Sequence, residues 1–328
     1  MSNHNNTSSK RSRFPSKMPS TIFIDTGGVI NDNERRGPQW LQYMGEFFPT
    51  TSLGGTADIW CSAHSEVVEP FFRQWHDFMT MATHMAEEAQ AKAIASGKDP
   101  KMVAQGLDPE SNVANIFDQL YQLILIQQVC NVAAPHIPGL TSKLSEEELF
   151  QLAKRAHAHA MERVKADYPG AVETIQALKA TGLYKLYTSS GDHSRDIECN
   201  LKGLGILDCF EEVYGVDRVN CLKLSRRYFE RVFDRVGLKV VKRDDDDDDD
   251  DEEEEDDEES SSRDEVVVLD DCINTLQWAR ELGARTVLIA QEDVDLTLEE
   301  HQHIDYHLRT LSELPALLET WRTNLGRP

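Results

Sequence analysis

Asp25, Thr188 with Ser189, Lys223 and the pair Asp270-Asp271 each stand where an apolar run ends or just before a helical pattern begins. Together they offer an anionic nucleophile, a hydroxyl donor, a cation and a carboxylate pair able to hold a metal. Phosphoryl transfer needs this set, because its catalysis is mostly positioning and neutralisation of phosphate charge. They can act together only if the fold gathers them at one place. The carboxyl edge of a parallel sheet is such a place, since open α/β sheets put their sites there.

The elements that would position them are legible. Thr21-Ile22-Phe23-Ile24 is a short apolar run that ends at Asp25 and breaks at Gly27-Gly28, the pattern of a buried strand entering a tight turn. From Gly37 to Lys165 apolar residues recur near every 3.6 positions, which predicts an all-helical unit. After Tyr168-Pro169-Gly170, helix and strand patterns alternate. AVETIQALKATG is followed by LYKLYT, FEEVYGV reads as a short strand, and SRRYFERVFDRVG as a helix. VVVLDD, INTLQWARELGA and RTVLIA then give strand, helix, strand. Helices between strands imply crossovers and a parallel sheet. The expected fold is therefore α/β, a doubly wound, Rossmann-like parallel sheet with an inserted all-helical cap. Its expected parts are a disordered tail at 1–19, a core of 20–32 and 169–328, a cap at 33–168 and a disordered acidic loop at 243–264.

In order and spacing these residues resemble the haloacid dehalogenase-like hydrolases. Ile22-Phe23-Ile24-Asp25-Thr26-Gly27-Gly28-Val29 matches the family's first motif, Leu186-Tyr187-Thr188 the second, Lys223 the third, and Val268-Leu269-Asp270-Asp271 with Asn274 the fourth. The resemblance implies an Mg²⁺-dependent phosphatase acting on a small phosphorylated metabolite, in which Asp25 attacks phosphorus to form an aspartyl-phosphate that water hydrolyses. It implies that Thr188 hydrogen-bonds the phosphoryl oxygens and that Lys223 offsets their charge. Asp25, the carbonyl of Gly27 and Asp271 would hold the metal, with Asp270 as a more distant ligand.

One position departs from the family pattern. Its phosphatases carry a second Asp two residues after the nucleophile as general acid and base, and Gly27 stands there. That proton transfer is worth roughly 10²- to 10⁴-fold. Asp32, Asp192 and His193 are candidate replacements, each also readable as an ordinary turn residue. The gap leaves two alternatives: a metal-independent dehalogenase-type C–X hydrolase, and a catalytically degenerate binding protein. Asp270-Asp271 argues against the first, because a metal-free dehalogenase has no need of an acidic pair.

Other patterns are weaker. Asp25-Thr26-Gly27 spells the aspartic-protease triplet without a partner, and Asp293-Val294-Asp295 lacks a preceding strand. His157 and His159 sit two apart on a helix, face apart, and are expected toward solvent. Trp40, Trp60, Trp75, Phe71 and Phe72 read either as cap core or as pocket lining. Arg35 and Arg36 follow the turn into the cap and could meet an anionic substrate or lie exposed.

Across 328 residues, 58 acidic and 34 basic residues give a net charge of −24. An unbroken acidic block at 244–259 carries 16 of those charges and leaves −8 for the rest. Neither part suits a nucleic-acid backbone, which is bound through clustered cations. The block reads as a solvated loop, with docking of a basic protein as an alternative. Six cysteines without CxxC spacing suggest neither zinc nor disulfides. With no long apolar run, no membrane partner is expected, and the location expected is the cytoplasm, or the nucleus if the Arg/Ser-rich tail is a signal.

Overall fold

The computed structural model describes residues 17–105, 107–140, 144–238, 265–292, 297 and 300–325. The first sixteen residues of the expected tail, the acidic block and Asp293-Val294-Asp295 lie outside the described residues.

The chain starts with β1 (Thr21–Ile24) and then runs through six helices before any other strand: α1 (Asn33–Phe47), α2 (Ala57–Phe72), α3 (Trp75–Ala95), α4 (Pro100–Ala104), α5 (Val113–Ala133) and α6 (Glu146–Arg163). Next come α7 (Ala171–Ala180), β2 (Lys185–Thr188), α8 (Ser194–Leu204), α9 (Val216–Val219) and α10 (Arg227–Arg235). β3 (Val266–Asp270), α11 (Ile273–Glu281), β4 (Arg285–Ile289), β5 (Tyr306–Leu308) and α12 (Leu314–Leu325) complete the described residues. The five strands form one parallel sheet in the order β2-β1-β3-β4-β5. The fold is thus a doubly wound parallel sheet with a helical cap inserted after its first strand.

Strand residues alternate between two covered faces, which explains their near-continuous apolar runs. Ile22, Ile24, Leu186, Val267, Leu269 and Val287 face α7, α8 and α12. Phe23, Val266, Val268 and Leu288 face α10 and α11. The cap has its own core, centred on Phe48, Trp60, Phe71, Phe78 and Ile126. Each fully buried large side chain there contributes about 1.5–3 kcal/mol.

The expected strand at 210–216 is not formed. Its segment runs beside β2 with one isolated bridge, Tyr187 to Glu212. Glu211 N–H to the Leu186 carbonyl, Ser190 N–H to the Tyr214 carbonyl and Val216 N–H to the Asp192 carbonyl connect it to β2 and the loop beyond, bonds too scattered for a ladder. Conversely, β5 is a strand the sequence pattern did not signal, being only three residues long.

The sheet directs the chain to one edge. β1 lies between β2 and β3, so the connections leaving β1 and β3 diverge and open a crevice at their carboxyl ends. Beyond β1 the backbone turns tightly, with Ile30 and Asn31 N–H both donating to the Thr26 carbonyl at 3.1 and 2.8 Å. The chain enters and leaves the cap side by side: Asp32 N–H donates to Ala166 (2.8 Å) and Tyr168 N–H to Ile30 (2.9 Å). All six cysteines are free. Among the described residues no helix is long and apolar enough to cross a membrane.

Candidate active site

Asp25 sits directly after β1, with its N–H donating to the Leu269 carbonyl at 3.0 Å and its Oδ1 accepting the Thr26 N–H at 2.8 Å. Asp270 ends β3, the neighbouring strand, and its Oδ1 accepts the Cys272 N–H at 2.9 Å. Lys223 reaches between them from the loop before α10. Its Nζ lies 2.6 Å from Asp270 Oδ2 and 3.3 Å from Asp25 Oδ1, and donates to the Ser189 carbonyl at 2.6 Å. Asp271 adds a third carboxylate, and oxygens of Asp25, Asp270 and Asp271 all lie within 4.8 Å of one another. The three acids and the lysine expected to converge do so.

The balance of charge in this group is unequal, with three carboxylates facing one ammonium. Burial pushes the Asp25 carboxyl up to about 7, against the pull of Lys223, and Asp270 adds to the rise. Asp271 is pushed up to about 6 by burial and by Asp25. Burial also raises Asp270. Burial alone would lower the Lys223 pKa, but Asp25 and Asp270 overcome it and hold the ammonium charged. A divalent cation among these oxygens would relieve the repulsion, and hard oxygen donors are what Mg²⁺ and Ca²⁺ prefer.

Close approach depends on glycine. Gly28 has φ +75, and a Cβ built on it would lie 1.9 Å from Asp271 Oδ2. Only a residue without a side chain allows that turn to pack against Asp271. Gly27 faces a different neighbour: a Cβ there would meet the Asn33 side chain, at 3.2 Å from Oδ1 and 3.4 Å from Nδ2. The Asn33 amide therefore lies in close contact with the Cβ position at 27, and an amide has no carboxyl proton to exchange.

The hydroxyl side of the site differs from expectation in detail. Thr188 is fully buried and its hydroxyl donates to the Tyr214 carbonyl at 3.2 Å. Ser189 was not singled out from Thr188 by sequence, yet its Oγ is buried with no hydrogen-bond partner among the described residues. Ser190 Oγ lies 2.7 Å from Thr26 Oγ1 and ties the loop after β2 to the loop after β1. The three candidate replacements for the missing acid all have structural tasks. Asp32 caps α1 by accepting from Glu34 and Arg35 N–H. His193 caps α8 through Nδ1, and Asp192 pairs with Arg36 at 3.2 Å. Arg35 donates to the Asp167 carbonyl at the cap entrance.

A cavity of about 500 Å³ opens between cap and sheet. Asn33 and Gly191 join it to the carboxylate cluster: Asn33 packs at Gly27, and a Cβ on Gly191 would lie 4.0 Å from that of Lys223. Trp40, Phe72 and Trp75 line it, whereas Trp60 and Phe71 belong to the cap core.

His157 also lines the cavity, which corrects the expectation that both histidines face solvent. Its Nδ1 lies 3.1 Å from Asp196 Oδ2, with the imidazole 13 % exposed. His159 is half-buried against Phe47. Residues two apart do face apart, but α6 packs against α1 and α5 on the cap side and α8 of the core, so both of those faces are covered. Arg195 completes the group, with both terminal nitrogens on Asp118 (3.0 and 3.1 Å) and two bonds to Asp196 at 2.9 Å. Burial alone would raise Asp196, but His157 and Arg195 hold it well below the usual carboxylate range. In turn Asp196 lifts the His157 pKa against its burial.

A family model described as haloacid dehalogenase-like hydrolase matches residues 20–283, a span that runs from β1 through α11 and includes every group in the carboxylate cluster. The chain belongs to the haloacid dehalogenase-like hydrolases. No curated protein matches it. Solved structures similar to it include an L-2-haloacid dehalogenase from Xanthobacter autotrophicus, at 13 % identity and TM-score 0.47, covering 92 % of this chain and 99 % of that one. Another is a HAD phosphatase from Thermococcus onnurineus, at 18 % identity and TM-score 0.45, covering 92 % and 98 %. A third is the HAD-hydrolase YfnB from Bacillus subtilis bound to magnesium, described as putative, at 14 % and 0.43, covering 92 % and 100 %. In this member of the family, the carboxylate cluster with Lys223 sits at the sheet edge, with the cap on one side of it.

Proposed function

We propose that this haloacid dehalogenase-like hydrolase is an Mg²⁺-dependent phosphomonoesterase acting through Asp25. The observation that carries this reading is the excess of carboxylate: Asp25, Asp270 and Asp271 within 4.8 Å, with only Lys223 among them. An anionic substrate would be repelled by that group alone. The donor set fits a hard divalent cation, with Asp25 and Asp271 as the carboxylates to hold it and the Gly27 carbonyl, two residues after Asp25, as a further oxygen donor. Both oxygens of Asp270 already accept from Lys223 and Cys272. When bound, the cation supplies positive charge that lets a carboxylate approach a phosphate.

The remaining work falls to side chains. Asp25 Oδ attacks phosphorus, and the bond from phosphorus to the ester oxygen breaks with its electron pair leaving on that oxygen. The departing oxygen takes a proton from solvent. Water then attacks the aspartyl-phosphate, the bond from phosphorus to Asp25 breaks, and inorganic phosphate leaves with the carboxylate restored. Lys223 pulls the nucleophile toward its ionised form against burial and offsets phosphoryl charge. Ser189 Oγ, buried without a partner, is the hydroxyl best placed by its chemistry to donate to a phosphoryl oxygen, beside Thr188.

The metal-free dehalogenase reading draws on Gly27 alone, and the binding-protein reading on the same residue. Phosphate release from p-nitrophenyl phosphate, raised by Mg²⁺ and lost in Asp25→Asn, supports the proposal. Halide release from 2-chloropropionate without metal would replace it. Neither activity, even in Gly27→Asp, would leave the binding reading.

A further inference from the structure

Two features of the crevice, independent of each other, narrow the substrate of the activity proposed above, and the inference rests on that reading. The first is the cavity wall. Trp40, Phe72, Trp75, Phe117 and Tyr121 supply aromatic surface to the cavity of about 500 Å³. Trp75 meets Phe117 and Tyr121 edge-on at 4.8 and 5.4 Å, so the wall is a packed aromatic surface. Phe72 nonetheless leaves 48 % of itself exposed beside it. Cavities of this size and lining take ligands with an apolar body.

Charged and polar groups are set among these rings, with His157 against Trp40 and Tyr121, and their charges are already matched. Arg36 pairs with Asp192 at 3.2 Å and Arg195 with both Asp118 and Asp196. His157 pairs with Asp196 at 3.1 Å, while His193, whose Nδ1 accepts the Arg195 N–H, presents Nε2 to Asn115 Oδ1 at 3.3 Å. Arg36 and His157 in the lining, and Arg195 behind it, thus each face a carboxylate. A second anionic group on the substrate would have to break one of these pairs, so the wall selects a neutral body with hydrogen-bonding groups at most.

The second feature is Gly27 itself, which carries no carboxyl and has the Asn33 amide at 3.2 and 3.4 Å from its Cβ position. Asn33 also lines the cavity, so it stands between the phosphoryl site and the space for the leaving group. Without a carboxyl proton there, the bond to the ester oxygen breaks easily only when that oxygen departs as a stable anion. Phenols, with pKa near 10 as in the tyrosine side chain, meet this requirement far better than aliphatic alcohols.

From these two features we infer that the substrates are aryl phosphates, monoesters of neutral phenolic compounds whose ring system occupies the aromatic cavity. Bisphosphates are disfavoured by the matched charges of the lining, and monoesters of aliphatic alcohols, sugar phosphates and nucleotides among them, by the missing carboxyl proton at Gly27.

The test compares kcat/KM for 2-naphthyl phosphate, phenyl phosphate, benzyl phosphate, glucose 6-phosphate and acetyl phosphate, all with Mg²⁺. The expected order puts 2-naphthyl phosphate above phenyl phosphate and at least about 100-fold above glucose 6-phosphate, the size of discrimination a shaped apolar pocket gives. Trp75→Ala should lower the ratio of 2-naphthyl phosphate to acetyl phosphate about tenfold, with Trp75→Phe restoring most of it. Asn33→Asp should raise benzyl phosphate turnover at least about tenfold more than phenyl phosphate turnover, because a carboxyl group helps most where the leaving group is poor.

Acetyl phosphate needs only the phosphoryl site, which separates the two levels. If it is hydrolysed but glucose 6-phosphate or benzyl phosphate matches 2-naphthyl phosphate, the aryl inference is overturned and the phosphatase reading stands. If acetyl phosphate is not hydrolysed, the phosphatase reading falls, and calorimetric titration with 2-naphthol decides the cavity alone. Saturable binding weakened in Trp75→Ala and kept in Trp75→Phe supports a neutral aromatic ligand; no binding at millimolar 2-naphthol overturns it.

Discussion

Around Asp25, three carboxylates share one ammonium; around Asp196, two carboxylates share a guanidinium and an imidazole. Both groups are buried and bridge separate elements, and both use the same residue chemistry. In the first, burial and mutual repulsion raise all three acids. In the second, Asp196 is held low and His157 is lifted, each charge supporting the other. The difference lies in stoichiometry. A group with matched charges joins the cap to the core, whereas one with excess like charge repels itself.

Four experiments would break or sharpen that contrast. The largest effect is expected for Asp25→Asn, which should remove at least about 10³-fold of hydrolytic activity, since the nucleophile is lost. The same change should raise the melting temperature of the metal-free protein at pH 8, because one of three crowded charges is gone. A fall in melting temperature would mean the cluster is as well balanced as its counterpart.

Next comes Arg195→Met, which leaves Asp118 and Asp196 buried without their shared cation. Urea denaturation should show a loss of about 3–5 kcal/mol, typical of breaking a buried pair from one side. A loss below about 1 kcal/mol would show that these acids had no need of compensation.

A smaller effect follows from pH. Asp25 and Asp271 have folded pKa values of about 7 and about 6, above their unfolded value near 4. Between those values the folded state binds more protons than the unfolded one, so metal-free stability should fall as pH rises from 5 to 8. The melting temperature should drop roughly 2–4 °C for each kcal/mol lost. Mg²⁺ should oppose the drop, with its stabilisation larger at pH 8 than at pH 5. A flat profile without metal would remove the excess charge on which the contrast depends.

The smallest effect belongs to Arg36→Ala. The Arg36–Asp192 pair is partly open to water, at 26 % and 42 % side-chain exposure. Its loss should cost less than about 1 kcal/mol in urea denaturation.

Legibility followed the same division. Asp25 and Asp270-Asp271 were readable because each ends a short apolar strand, and a parallel sheet brings such ends together whatever the intervening chain does. Lys223 was readable only as a cation ahead of a helix, and the fold aimed it. The Asp118–Arg195–Asp196–His157 group is not legible, because its members come from α5, α8 and α6, and the packing of helices on one another is not written in any one helix. A signal existed nonetheless. On α6, Leu152, Ala153, Ala156, Ala160 and Met161 are buried, and His157 falls four residues after Ala153 and three before Ala160. A histidine in a stripe of alanines faces a close neighbour, whereas the spacing between His157 and His159 speaks only of the two relative to each other. The Asn33 amide at Gly27 was likewise invisible, since a missing aspartate says nothing about what fills its place.

The paired crossing at Ile30–Asp32 and Ala166–Tyr168 has a consequence in chain entropy. Because the two crossing strands are already clamped by Asp32 to Ala166 and Tyr168 to Ile30, the segment between them begins and ends at one point. Closing a flexible loop costs only about 0.6 kcal/mol more for each doubling of its length. The sheet is therefore almost indifferent to how much chain is spliced in at that doorway. Helices can be added, lost or exchanged there at little cost to the strands that carry Asp25 and Asp270.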